Sequence, residues 1–376
     1  QLDGILLDKN ISRELSNENL KKYFSYSHVP SPGTIFKNVS QVHPGENIII
    51  NAKSLNLSKN KYWDLKSGPD YNLFFNKTIK EKFNEDFNII VKNHTTADKS
   101  PALSLSSGID SYIIMKHLLN FKESLSSFTL GFENKTYDES RHVRKINEKI
   151  KKDIFYSNAE NLKKSFLEIS KYISDPIGDS SILPTFILCQ KIRSHSNVVI
   201  GGDGGDEAFF GYITFDAFFL ARFIKKILPN SFIKIIKKIT SRFKISNNYL
   251  SVSTKIKKFF NSIHLDYKHL LPSWMCCLSS DDIGKLFNEK TNESELFSES
   301  DYLFNDSSSY MKNSQLYYFK YYLPMVLKKV DQASMFNSIE SRSPFLSKSI
   351  INFSLDQKTG LLYSFFNKKF FFKKYF

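Results

Sequence analysis

The residues best suited to chemistry lie at positions 103–111, LSLSSGIDS, where a short apolar strand meets a Ser/Ser/Gly turn and then an acid and a hydroxyl at a helix start. Helix-start N–H groups have no intrahelical acceptor and the helix dipole favours an anion there, so this order builds a phosphate site. Ser106, Ser107 and Ser111 offer hydroxyl donors, Gly108 lets a phosphate approach the backbone, and Asp110 could hold a cation bridging phosphate oxygens. The same order also describes an ordinary helix N-cap. Ile109, Tyr112, Ile113 and Lys116 recur at helical spacing on either reading. A second loop, residues 198–212, reads VVIGGDGGDEAFFGY: an apolar strand running into four glycines interleaved with three acids. Such a loop brings backbone to a ribose, phosphates and a metal ion, and the two loops together point to ATP. Glu207 stands where a dinucleotide fingerprint needs its third glycine, and no GxxxxGK[ST] run occurs, which argues against a Walker-type NTPase.

These loops need elements to aim them. From about residue 70 the pattern alternates: a helix over 76–92, a strand at 102–105, strands near 125–130, 153–156 and 197–200, and helices over 139–151 and 183–195. Alternation of this kind predicts an α/β fold, a parallel sheet covered by helices, with ligands at the carboxyl ends of the strands. Residues 213–320 read as mostly helical and aromatic-rich, their phenylalanines as core. Residues 1–65 hold two Pro/Gly turns and a short apolar strand at 48–50.

Composition narrows the function classes. The chain has 376 residues, 41% hydrophobic, with 53 basic and 38 acidic side chains and a net charge of +15. The lysines are scattered, which disfavours nucleic acid as a partner; the runs at 225–244 and 368–374 read as solvated helix faces or neighbours of an anionic ligand. Three cysteines without a CxxC pair argue for a reducing compartment and against structural zinc. The polar opening segment and the lack of any run of about 18 apolar residues predict a cytoplasmic protein with no membrane partner.

LSLSSGIDS resembles the SGGxDS loop of the N-type ATP pyrophosphatases, and VVIGGDGGDEAFFGY resembles the matching loop of the glutamine-dependent asparagine synthetases. Three further blocks agree in order: SFTLGFENKTYDE at 127–139, DPIGDSSILP at 175–184 and YLPMVLKKVDQASMFNSIESRSPFL at 322–346. On these five blocks the chain is identified as a member of the asparagine synthetase family. The resemblance implies an adenine nucleotide alpha hydrolase-like (PP-loop) α/β domain over 66–376, with 213–320 its helical part. Residues 1–65 would then be the tail of a glutaminase domain and its connector. The chain opens with Gln, as expected of a piece of a longer protein, and no cysteine precedes Ser106 to act as a glutaminase nucleophile.

What the resemblance implies for chemistry is ATP and Mg2+ acting on small-molecule substrates: aspartate or another carboxylic acid such as a sugar acid, with ammonia, free or from glutamine. It implies no nucleic acid or membrane partner and leaves a homodimer open. By position, Asp110 and Asp206 match the metal carboxylates; Leu105, Leu130, Gly201 and Gly202 match backbone contacts to adenosine; Ser106, Gly108 and Ser111 match the pyrophosphate grip. Asp203 and Glu340 match acidic positions beside the acyl intermediate, with an ion pair to Arg342 as the alternative for Glu340. Lys369 matches a charge-offsetting lysine, although Lys368 or a solvated basic tail fits the same residues. Ser107 replaces a family glycine; in a left-handed conformation it would add strain of roughly 1–2 kcal/mol.

Overall fold

The computed structural model describes residues 2–66, 77–134, 138–146, 150–173, 175–240, 242, 252–304 and 310–376. Part of the block at 127–139, residues 135–137, therefore lies outside the described residues, as does the end of the basic run at 225–244. The chain divides into two compact units: Gln1–Ser67, Tyr172–Asp179 and Leu265–Met325 form the first, and Gly68–Lys171, Ser180–His264 and Val326–Phe376 the second.

In the first unit, β1 (Glu46–Ile50) pairs antiparallel with β2 (Leu57–Lys61), and helices Asn17–Tyr26, Tyr267–Met275 and Tyr310–Tyr317 bury Tyr26 and Tyr317. Ser16 caps the first of these helices by accepting from the Asn19 amide.

The second unit is built on a five-stranded parallel sheet: β3 (Ala102–Ser104), β4 (Leu125–Phe132), β5 (Ile150–Ser157), β6 (Val198–Ile200) and β7 (Glu340–Arg342), in spatial order β5-β4-β3-β6-β7. The central strands are short apolar runs because helices cover both faces; Leu103 and Ile200 are almost fully buried. Ala102, Phe128, Cys189, Ile192, Val199 and Ile339 form a core cluster between the sheet and helix Ile182–Arg193. The chain leaves β3 toward β4 and β5, then returns to the other side of β3 as β6. Adjacent carboxyl ends at β3 and β6 with connections that diverge make a topological switch point, where α/β sheets bind ligands.

Two local expectations change. The helix expected over 139–151 is described only as Ser140–Arg144, and Lys151 is already in β5, where Ser126 is its partner. β7 goes unannounced in the sequence, because a charged three-residue edge strand has no apolar period and exists through pairing with β6. Of the phenylalanines at 213–320 expected as core, Phe215, Phe218, Phe297, Phe304 and Phe319 are buried, but Phe219, Phe223 and Phe232 are exposed. A separate aromatic cluster is buried in the second unit, Phe83, Phe209, Phe371 and Phe372, with the Phe209 and Phe372 centroids 4.2 Å apart. Among the described residues no helix is long and apolar enough to cross a membrane.

Gly204 turns the chain at φ 88°, and a Cβ there would collide with the Leu346 side chain. Gly204→Ala combines left-handed strain with overpacking and is expected to cost about 2–4 kcal/mol. In thermal denaturation the midpoint should fall by roughly 5–10 °C; an unchanged midpoint would show that the turn relaxes freely.

Candidate active site at the carboxyl ends of the central strands

β3 runs into residues 105–108 and helix Ile109–Leu118, whose N-cap is Gly108, with no side-chain cap. No serine side chain caps this helix start. The serines instead brace the loop. Ser106 N–H donates to Ser111 Oγ at 3.1 Å, Gly108 N–H donates to Ser106 Oγ at 3.1 Å, and Ser111 Oγ lies 3.0 Å from the Gly108 carbonyl. Ser107 N–H donates to Glu139 Oε2 at 3.0 Å, so this amide is already oriented toward an anionic oxygen. Ser107 does not adopt a positive φ, and the strain anticipated for serine at this position does not arise.

β6 runs into the glycine loop and the short helix Gly205–Ala208, placing both loops around one cavity of about 470 Å³. That volume suits a ligand of nucleotide size. Its lining combines the polar Ser106, Ser111, Asp110, Asp203, Asp206 and Glu207 with the apolar Leu188, Ile192, Val326 and Val330. Gly205 is needed for close approach, since a Cβ there would sit 2.5 Å from the Asp110 carboxyl carbon.

Electrostatics concentrate at Asp110. Its carboxyl is buried, its Oδ2 is paired with Lys369 Nζ, and its Oδ1 is a buried oxygen without a hydrogen-bond partner. Lys369 Nζ also lies 2.9 Å from Asp206 Oδ1, so one ammonium sits between two carboxylates. Burial pushes Asp110 up to about 6 against the pull of Lys369, and the Asp206 charge adds to the rise. Burial by itself would lower Lys369, but the two carboxylates raise it above the usual lysine value. Two carboxylates flanking one ammonium, with Asp110 Oδ1 beside them as a further buried oxygen without a hydrogen-bond partner, are a hard-donor set that suits Mg2+. The residues present therefore fit such an ion.

Lys369 is held there by the C-terminal helix Phe370–Tyr375, whose Phe371 and Phe372 are fully buried, while Lys368 is exposed. The tail is thus anchored through Phe371 and Phe372, and Lys369 is the buried lysine of the two. Asp203 lines the cavity; burial raises its carboxyl despite the nearby Lys329 charge and a Ser343 hydrogen bond.

Of the residues singled out from sequence, Ser106, Gly108, Asp110, Ser111, Gly201, Gly202, Asp203, Asp206 and Lys369 line the cavity. Leu105 and Leu130 do not. The Leu105 N–H donates to the Phe128 carbonyl at 3.0 Å and its carbonyl accepts from Thr129 Oγ1 at 2.7 Å, while Leu130 is a β4 residue opposite Phe155. Nor is Glu340 brought in. It is largely exposed, and Arg342 Nε donates to its Oε1 at 2.9 Å, holding the carboxyl below the usual range. Arg342 in turn donates to the carbonyls of His94 and Thr96, so this pair fastens the sheet edge to the end of helix Lys77–His94. Alternation along β7 turns Ser341, not Glu340, toward the cavity.

Glu139 and Glu207, assigned no role from the sequence, also line the cavity, as does Lys329. Glu207 accepts from the Tyr212 hydroxyl at 2.8 Å, and burial, then the Asp206 charge, pushes it from 4.5 to about 7. Its signal lay in the loop itself, an acid kept where a glycine was sought. Raised carboxyl pKa values mean that the native state holds protons the unfolded chain releases. The stability they contribute is present at low pH and lost as pH rises through the folded values. In chelator-containing buffer the thermal midpoint is expected to fall from pH 4.5 to pH 7, and Glu207→Gln should flatten that fall. An unaltered profile in the variant would refute the assignment.

Comparison with known proteins agrees with this geometry. The family model described as asparagine synthase matches residues 82–374. The chain is 25% identical over 358 residues to asparagine synthetase [glutamine-hydrolyzing] 1 of Bacillus subtilis, covering 90% of this chain and 53% of that protein. It is 29% identical over 236 residues to a Methanocaldococcus jannaschii protein provisionally named asparagine synthetase [glutamine-hydrolyzing] 2, covering 60% and 45%. A Gibberella zeae protein named amidase chry2 matches at 27% over 204 residues, 49% of this chain and 30% of that protein. The chain thus spans about half the length, or less, of these curated relatives.

Proposed function

The chain belongs to the asparagine synthase family, and on that premise we propose that its cavity adenylates a carboxylic acid with ATP and transfers the acyl group to nitrogen. Aspartate and ammonia are the leading substrates, giving asparagine, AMP and pyrophosphate; the ammonia is free or released from glutamine by a glutaminase domain. The observation that carries this reading is the convergence of the serine loop and the glycine-acid loop on Asp110 at the switch point between β3 and β6.

The apolar lining residues Leu188, Ile192, Val326 and Val330 suit a flat base, and the loop amides with the helix start suit the pyrophosphate. Asp110 and Asp206 would hold Mg2+, which when bound supplies charge neutralisation for the pyrophosphate leaving group. In the first step a substrate carboxylate oxygen bonds to the α-phosphorus as the bond to the bridging oxygen breaks. In the second, the amine nitrogen bonds to the acyl carbon, AMP leaves with the electron pair of the broken bond, and a nitrogen proton passes to a base. Asp203 suits that role, because its raised pKa makes it a better acceptor than an exposed aspartate. Lys369, fixed by the buried C-terminal helix, offsets negative charge at the phosphates.

The groups that suit ATP do not read the acid, so a relative amidating another carboxylic acid shares every feature above. The test is AMP and pyrophosphate release with Mg2+ over a panel of acids, each with ammonia or glutamine. Equal amounts of AMP, pyrophosphate and asparagine are expected with aspartate. Release with a different acid would move the substrate, and no release with any acid would overturn the reading.

A further inference from the structure

Residues 213–264 carry eleven lysines and arginines and one acid, Asp216, and so hold ten of the chain's fifteen net positive charges in about a seventh of its length. The single carboxylate is buried and accepts from the Tyr363 hydroxyl. Within helices Ile213–Ile227 and Asn230–Thr240, which only two residues separate, Phe223, Ile227, Phe232, Ile235 and Ile239 are 57–61% exposed. Their spacing, four apart in the first helix and three then four in the second, draws one apolar stripe along each. The opposite faces are anchored in the core by Phe218, Ala221 and Ile233. Solvation accounts for exposed Lys226 and Lys234, but not for five large apolar side chains beside them.

We propose that this helix pair docks on the surface of an anionic lipid bilayer, with the lysines at headgroup phosphates and the apolar stripes in the acyl boundary. Charge decides against the other occupants. A second copy would bring the same positive patch against itself. A nucleic acid would satisfy the lysines yet leave the phenylalanines and isoleucines in water, and nine of the eleven basic residues are Lys rather than the planar, stacking Arg. The docking is peripheral, and it departs from the expectation of no membrane partner.

The experiment is co-sedimentation of the full chain with phosphatidylcholine vesicles, with and without about 30 mol % phosphatidylglycerol. Binding is expected only with the anionic lipid at about 0.1 M salt, and should be largely lost at about 0.5 M. Lys226→Glu with Lys234→Glu should weaken it by at least about tenfold. Phe223→Ser with Phe232→Ser should weaken it about tenfold as well, with circular dichroism unchanged in both variants. Absence of binding to anionic vesicles, or equal binding to both kinds, overturns the proposal. So does duplex binding that the phenylalanine variant leaves intact, or a dimer in sedimentation that this variant dissociates.

Discussion

Asp110→Asn is expected to lower AMP and pyrophosphate release about a thousandfold at saturating aspartate, ammonia and Mg2+-ATP. The amide keeps the volume of the carboxyl in a position where Gly205 leaves no slack, so the loop geometry should survive. What disappears is the formal charge next to Lys369 and the buried, otherwise unpartnered Oδ1. Because Asp206 still faces Lys369, the lysine keeps one counter-ion and the fold should tolerate the change. The measurement separates a chemical role from a structural one: a near-wild-type thermal midpoint with lost turnover places Asp110 in the reaction. Turnover within tenfold of wild type would remove it from any metal-holding role.

Lys369→Met should have the second largest effect, and its most informative readout is stability rather than rate. Without the ammonium, the buried Asp110 carboxylate stands uncompensated beside the partly exposed Asp206, at a cost of about 2–3 kcal/mol in metal-free buffer above pH 7 once solvent screening at Asp206 is allowed for. Mg2+ binds the native state of this variant in place of the lost cation. At a hundred times its dissociation constant it should restore about 2.7 kcal/mol. In the wild-type chain Lys369 already neutralises the pair, so the same Mg2+ should raise its midpoint less. Equal shifts in the two proteins would show that the carboxylates are not the cation site. Turnover of the variant should fall about a hundredfold, since the charge facing the phosphates goes with the lysine.

Much of this protein was legible because the relevant chemistry is local. An apolar run ending in Ser-Ser-Gly or Gly-Gly-Asp-Gly-Gly states in a few residues both a strand and the loop that follows it. The strands at β3, β4 and β6 and both cavity loops could therefore be read from residue type and spacing alone. The same locality explains the errors. Residues 139–151 have a helix-like composition, yet Ile150–Ser157 is held in the sheet by eight pairs with β4. For Glu340 the motif left two readings, and strand alternation with Arg342, two residues on, gives the ion pair rather than a place in the cavity.

The sequence by itself determined the class of fold, the two ligand loops and the acids they carry, because each rests on contacts within a few residues. Only the tertiary structure decided which groups meet. Lys369 reaches Asp110 across 259 positions, and nothing near either residue announces the pairing. It depends on Phe371 and Phe372 packing against Phe83 and Phe209. The same packing tells a buried lysine from its exposed neighbour and sets its ammonium between two acidic side chains. Composition could count the lysines of 213–264, and folding alone showed which isoleucines and phenylalanines stay outside with them.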